Sequence, residues 1–259
     1  MTAQSDSRPL IMIVNDDGIT APGLRYLVSC VAADAKVIVV APDGPQSGKA
    51  SSITVEQPLH ITRQEPFEGA EMYAVSGTPV DCVKLGINTV MPRHPDLLLS
   101  GINHGSNSAC NLIYSGTMGA VMEGTQLGIP SIGFSLLHHS MSADFSGCGS
   151  IVRSVVANVL AEGLPADVCL NVNIPARCTP LGIKMARGGK GHWTDEYVRY
   201  EDPHGRPFYW LSGKFVNDEP DNPDTDNYWL ARQYATVVPV RPDQSYLPAI
   251  EPLRSRFEK

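Results

Sequence analysis

Five consecutive apolar residues, Leu10-Ile11-Met12-Ile13-Val14, run directly into Asn15-Asp16-Asp17-Gly18. An unbroken apolar run of this length, ended by turn residues, fits a strand buried on both faces, as in parallel sheets covered by helices. Open sheets of that kind bind ligands just beyond the carboxyl ends of their strands, which is where Asp16 and Asp17 fall. Asn-Asp-Asp-Gly is also favourable turn chemistry, so this stretch by itself admits both a turn and a site.

The next segments extend the parallel-sheet reading. Leu24, Leu27, Val28 and Val31 share one helical face, and Pro22 suits the first turn of that helix. Lys36 to Pro42 then reads as a second buried strand, completing a βαβ unit. Its loop, Asp43 to Ser52, contains Ser47 and Lys49 but lacks the G-x-x-x-x-G-K-[ST] spacing of a phosphate-binding P-loop. Ser52 to Glu56, Leu59 to Arg63 and Met72 to Val75 are expected as short strands of an antiparallel excursion. Thr78-Pro79-Val80-Asp81 combines a capping hydroxyl, a proline at the first helical position and an acid three residues after the cap, the signature of a helix start.

Asp96 to Gly101 is a third strand, followed by a loop from Gly101 to Asn111 rich in amides, hydroxyls and glycines. Tyr114-Ser115-Gly116-Thr117 then opens a helix with small residues, whose free backbone N–H groups suit an anion. Strands at Ser131 to Leu136 and Val168 to Pro175 flank a helix from Ile151 to Leu160. The alternation predicts a three-layer αβα sandwich, an α/β fold with a Rossmann-like, mostly parallel sheet. It runs to about residue 190, dividing the chain into a core at 1–190 and an extension at 191–259.

That extension concentrates Trp193, Tyr197, Tyr200, Phe208, Tyr209 and Trp210 around the turn-like Asp202 to Pro207, which predicts a projecting β-hairpin available as a subunit interface. A short helix from Thr225 to Tyr234 and a strand from Ala235 to Val240 follow. The net charge of −7 argues against general nucleic-acid binding, so an anionic substrate needs a cation or helix N-termini. Six cysteines with no CxxC pair point to reduced thiols. Together with a polar N-terminus, Met1 to Arg8, and no run long enough to span a bilayer, they predict a cytoplasmic protein without a membrane partner.

Loops on one sheet edge thus offer Asp16, Asp17, Ser47 and Asn103, all oxygen donors, which suit magnesium, manganese or calcium rather than zinc or copper. Beside them, the Ser115-Gly116-Thr117 helix start is placed for a phosphate. Metal donors beside an anion cradle imply phosphoryl chemistry.

These motifs, with Gly77-Thr78-Pro79, Asp81-Cys82-Val83, Ser100-Gly101-Ile102-Asn103, Gly105, Asn107 and Glu123-Gly124, resemble the stationary-phase survival protein SurE family in order and spacing from about Ile11 to Leu136. That family comprises divalent-metal-dependent nucleoside monophosphate phosphatases. The resemblance implies that Asp16, Asp17, Ser47 and Asn103 hold one divalent cation per subunit, and that Asn107, Ser115, Gly116 and Thr117 surround the phosphate. It implies hydrolysis of nucleoside 5′- or 3′-monophosphates in a homodimer or homotetramer that exchanges C-terminal elements. In that chemistry a cation-bound water attacks, or one carboxylate, Asp17 ahead of Asp16, acts as base or nucleophile. The chain departs from the family pattern at Asn111, where an acid is common, and at Val121, where an alanine is common.

His104 is a proton-donor candidate, although a histidine in such a loop is more often a surface residue. His138 and His139 face opposite ways if extended, and read as loop residues rather than a metal pair. Asp226 is a candidate for entry into a partner's site. Two other functions compete. A Rossmann oxidoreductase lacks its G-x-G-x-x-G after the first strand, and a non-catalytic nucleotide-binding or scaffold protein leaves the paired acids without work.

Overall fold

A computed structural model describes residues 7–258; of the polar N-terminal stretch, Met1 to Asp6 lies outside the described residues. The chain order is β1 (Leu10–Val14), α1 (Pro22–Val31), β2 (Lys36–Pro42), β3 (Ile61–Phe67), β4 (Ala70–Val75), α2 (Pro79–Thr89) and β5 (Leu97–His104). Then come α3 (Gly116–Gln126), β6 (Ser131–Leu136), α4 (Gly149–Glu162), β7 (Cys169–Ile174) and β8 (Ile183–Met185). The C-terminal part comprises β9 (Gly191–Thr194), β10 (Tyr197–Glu201), β11 (Pro207–Leu211), β12 (Lys214–Asn217), α5 (Asp226–Leu230), β13 (Ala235–Val240) and α6 (Ile250–Phe257).

The main sheet has the order β3-β4-β2-β1-β5-β6-β7-β13-β8. Pairing is parallel from β4 through to β7, while β3 runs antiparallel to β4 and β13 antiparallel to β7. All five residues of β1 are buried. Ile11 and Ile13 point into the core beneath α1 and α4, whereas Leu10, Met12 and Val14 point into the core beneath α2 and α3. This alternation is why the strand carries no polar residue: both faces meet helices. The architecture is the expected αβα sandwich, and β1 lies where the strand order reverses, with β2 on one side and β5 on the other. At such a switch point the strand ends diverge and leave a crevice.

Local chemistry accounts for the helix starts. Thr78 Oγ1 accepts the Asp81 N–H at 3.1 Å and Asp81 Oδ2 accepts the Thr78 N–H at 2.9 Å, a complete capping box. Ser115 caps α3 by accepting the Met118 N–H at 3.1 Å.

Several expected boundaries change. Ser52 to Glu56 forms no strand, because Thr54 Oγ1 donates to Asp81 Oδ2 at 2.6 Å and Ser52 O accepts from Thr78 Oγ1 at 2.7 Å, tying the segment to the start of α2. The next strand begins at Ile61 rather than Leu59, and the helix expected over Thr225 to Tyr234 shortens to Asp226–Leu230. Within residues 191–259, β13 returns to the main sheet between β7 and β8, so this part of the extension belongs to the core. The β10–β11 hairpin is antiparallel and its aromatics, including Tyr209 and Trp210, are exposed. All six cysteines are free, and no helix among the described residues is long and apolar enough to cross a membrane.

Candidate active site

The crevice at the ends of β1 and β5 is built around the turn after β1. Asn15 Nδ2 donates to Gly18 O at 3.0 Å and Asn15 Oδ1 accepts the Gly18 N–H at 3.2 Å. Gly18 has φ +100, a conformation that L side chains rarely adopt. Asn15 and Gly18 therefore supply the turn, and they leave Asp16 and Asp17 held between them.

Asp16 is buried, and its Oδ1 accepts from Thr117 Oγ1 at 2.6 Å. Burial pushes its carboxyl up to about 6; hydrogen bonding from Thr117 restrains the rise and the neighbouring charge of Asp17 adds to it. Gly116 makes this approach possible, since a Cβ there would lie 2.9 Å from Asp16 Cβ and 3.2 Å from its Oδ2. Asp17 points elsewhere. Its Oδ2 accepts both the backbone N–H of His104, at 3.1 Å, and His104 Nδ1, at 2.9 Å.

His104 is thus not a surface residue: its side chain is 3% exposed, its ring meets Phe145 edge-on at 5.1 Å, and its Nε2 is buried without a hydrogen-bond partner. The carboxylate of Asp17 and the Phe145 ring pull it inward, an interaction invisible from the loop's polar composition. The end of β5 that carries it is aimed by a register shift between β5 and β6 at Ser100 to Asn103. Asn103 Nδ2 donates to Gly105 O at 2.9 Å, which leaves its Oδ1 as an acceptor. Gln46 N donates to Asp16 O at 2.7 Å and Ala50 N to Tyr114 O at 3.2 Å, so the exposed Ser47 sits on a loop pinned at both ends to the crevice.

A cavity of about 800 Å³ opens here, lined among others by Asp16, Ser47, Asn103, His104, Asn107 and Ser115. Asp17, Gly116 and Thr117 lie just behind its wall rather than on it. The donor chemistry fits a hard divalent cation. Asp16 and Asp17 each keep one oxygen free of any side-chain partner, Asn103 Oδ1 and the Ser47 hydroxyl are available, and no lysine or arginine pairs with either acid among the described residues. No group of three or more His, Cys, Asp or Glu that could hold a metal ion occurs among the described residues, so the set on offer is Asp16 on the cavity wall, Asp17 behind it and the neutral oxygens of Ser47 and Asn103. On the phosphate side, Ser115 reaches the cavity, whereas Thr117 commits its single hydroxyl donor to Asp16.

Asn107 is held by a network the sequence reading missed. Its N–H goes to Asn173 Oδ1 at 2.9 Å, its Nδ2 to Ser135 Oγ at 2.7 Å, and its carbonyl accepts from Asn171 Nδ2 at 2.8 Å. Two asparagines alternating with apolar residues in β7 were the available signal, because a buried amide needs partners. Asp226, the candidate for a partner's site, is tied into this region of its own chain. It is fully buried within its own chain and accepts the N–H of Ala109 at 2.9 Å and of Gly189 at 2.9 Å, steadying the recognition loop. His138 and His139 form no metal pair: Arg177 Nη2 approaches His138 Nε2 at 3.4 Å, while His139 packs over Gly105.

Known proteins share this fold and much of this sequence. The family model described as survival protein SurE matches residues 11–195. The 5′-nucleotidase SurE of Christiangramia forsetii is 48% identical over 241 residues, covering 91% of this chain and 92% of that protein. The 5′-nucleotidase SurE of Bacteroides fragilis is 43% identical, covering 96% and 98%. The crystal structure of the SurE protein from Aquifex aeolicus superposes with a TM-score of 0.83 at 36% identity, covering 96% of this chain and 99% of that one. With a matching fold, a matching family model and relatives of this identity over most of its length, the chain belongs to the survival protein SurE family.

Proposed function

We propose that the protein is a phosphatase that releases inorganic phosphate from nucleoside 5′-monophosphates, with 3′-monophosphates as further substrates, and that it works with one divalent cation, magnesium or manganese. The observation that carries this reading is the convergence of Asp16, Ser47 and Asn103 on one cavity with Ser115 at a helix N-terminus and Asp17 directly behind. Relatives over more than nine-tenths of the chain bear the name 5′-nucleotidase, which supports the same substrate class.

Asp16, Asp17, Ser47 and Asn103 would hold the cation, which when bound would neutralise phosphoryl charge and lower the pKa of a water. Ser115 and the second amide N–H of Asn107 orient the phosphate oxygens. Asp17 has Oδ2 fixed by His104, so its one free oxygen, Oδ1, serves either as a cation ligand or, with the cation on the other three residues, as the base that takes a proton from the attacking water. Thr117 and Gly116 set the position of Asp16 and do not bind substrate through the Thr117 hydroxyl. Unpaired thiols suit a reducing compartment, and we assign the activity to the cytoplasm. The exposed aromatic hairpin is the surface through which we assign a homodimer or homotetramer.

Phosphate release from a panel of nucleoside monophosphates, with magnesium or manganese and with or without chelator, tests this. Expected are release that chelator abolishes and a loss of at least about a thousandfold in Asp16→Ala. Release indifferent to both would overturn the reading, and binding without any release would leave a nucleotide-binding protein.

A further inference from the structure

The wall of the same cavity includes Trp193, Tyr197 and Phe215, aromatic side chains that bring no positive charge to a phosphate. Trp193 Nε1 donates to Asn111 Oδ1 at 2.9 Å, and its ring meets Phe215 at 5.9 Å with an interplanar angle of 69°. The pair is seated closely: a Cβ on Gly213 would stand 3.1 Å from Trp193 Cε3, and one on Gly191 would stand 2.3 Å from Phe215 Cζ. Only glycine lets the two rings settle there. Asn111 precedes Ser115 by four residues along a 3₁₀ helix, roughly 8 Å at about 2 Å per residue, a separation of the order of phosphate to base in a nucleotide. Glu196 also lines the aromatic part, which makes that part unfavourable for the phosphate and leaves it to an uncharged group.

We propose that Trp193, Phe215 and Tyr197 form the nucleobase subsite, and that Asn111, its carbonyl fixed by Trp193, turns its amide hydrogens toward the edge of the base. Aromatic faces stack on planar bases, and a half-exposed ring pair gains cover when a base lies on it. An acid at position 111 would still accept from Trp193 but would offer the base no donor. The subsite rests on the phosphatase reading for its substrate class.

The test compares adenosine 5′-monophosphate with ribose 5-phosphate, which carries a phosphate on the same sugar carbon and no base. For Trp193→Ala, the ratio of their kcat/KM values is expected to fall at least about tenfold. Tyr197→Ser, at a residue 67% exposed within the single chain and outside its core, is expected to lower it about threefold. Calorimetric titration with adenosine, which does not turn over, is expected to lose affinity in parallel. Ratios and adenosine affinities within about twofold of the parent protein in both variants would overturn the subsite. If no substrate releases phosphate, the phosphatase reading falls by itself, and adenosine affinity in the two variants still decides whether the aromatic wall binds a base.

Discussion

Thr117 donates its hydroxyl to Asp16 at 2.6 Å across 101 residues of sequence, joining the start of α3 to the end of β1. This bond holds a carboxylate in a place that disfavours its charge. The strain in that arrangement is electrostatic, and it gives Asp16 a contribution of its own to the pH dependence of stability without cation.

Asp16 rises from an ordinary value of 3.8 to about 6 on folding, so between those values the folded state binds more protons than the unfolded state. Stability contributed by this group is therefore complete below about pH 4 and lost as pH rises through about 6, the total amounting to about 3 kcal/mol. Asp16→Asn, which keeps an acceptor for Thr117, is expected to raise the melting temperature in chelator at pH 7.5 and to have no such effect at pH 4, while abolishing phosphate release. Equal melting temperatures at pH 7.5 would refute the charge argument.

Gly116→Ala places a methyl group 2.9 Å from Asp16 Cβ and 3.3 Å from Pro79 Cγ. Either the helix start or Asp16 must shift, at a cost of about 1–3 kcal/mol. Steady-state kinetics with magnesium should show kcat/KM down by at least about a hundredfold, because a misplacement of about 1 Å has that effect on positioned groups.

His104→Ala removes the Nδ1 donor from a carboxylate whose side chain is 10% exposed, leaving Asp17 the backbone N–H alone. Loss of such a charge-assisted bond costs about 1.5–3 kcal/mol. Manganese affinity measured by calorimetry should weaken about 10- to 100-fold, as for other groups that orient metal ligands. His104→Asn, whose amide nitrogen can occupy the Nδ1 position, should recover most of it; equal loss in both variants would assign His104 to packing against Phe145 instead.

Asp226→Ala leaves the N–H groups of Ala109 and Gly189 without their acceptor. Urea unfolding should register a loss of about 2–4 kcal/mol, and amide exchange should accelerate through residues 108–115, since buried donors left unmade are costly. Exchange confined to residues near 226 would show that the loop is held by other contacts.

Most of the architecture could be read along the chain because its signals are local. The apolar runs of β1 and β2, the Thr78 capping box and the helix start at Ser115-Gly116 each act within a few residues, and each forms as expected. Errors arose where a local signal met a distant partner. Ser52 to Glu56 has strand-like composition, yet its polar groups find Asp81 and Thr78 instead of a neighbouring strand.

The sequence by itself determined which residues cluster at the strand ends: Asp16 and Asp17 after β1, Ser47 after β2, Asn103 at the end of β5 and Ser115 before α3, because parallel strands present their carboxyl ends on one edge. Only the tertiary structure decided how they divide the work. Thr117 serves Asp16, His104 serves Asp17, Asn171 and Asn173 serve Asn107, and Asp226 serves the loop before α3. These pairs are separated by 64 to 117 residues, and a burial that leaves a polar group no water is satisfied by whatever side chain the strand order brings beside it. That order follows from packing the whole sheet, which no local pattern encodes.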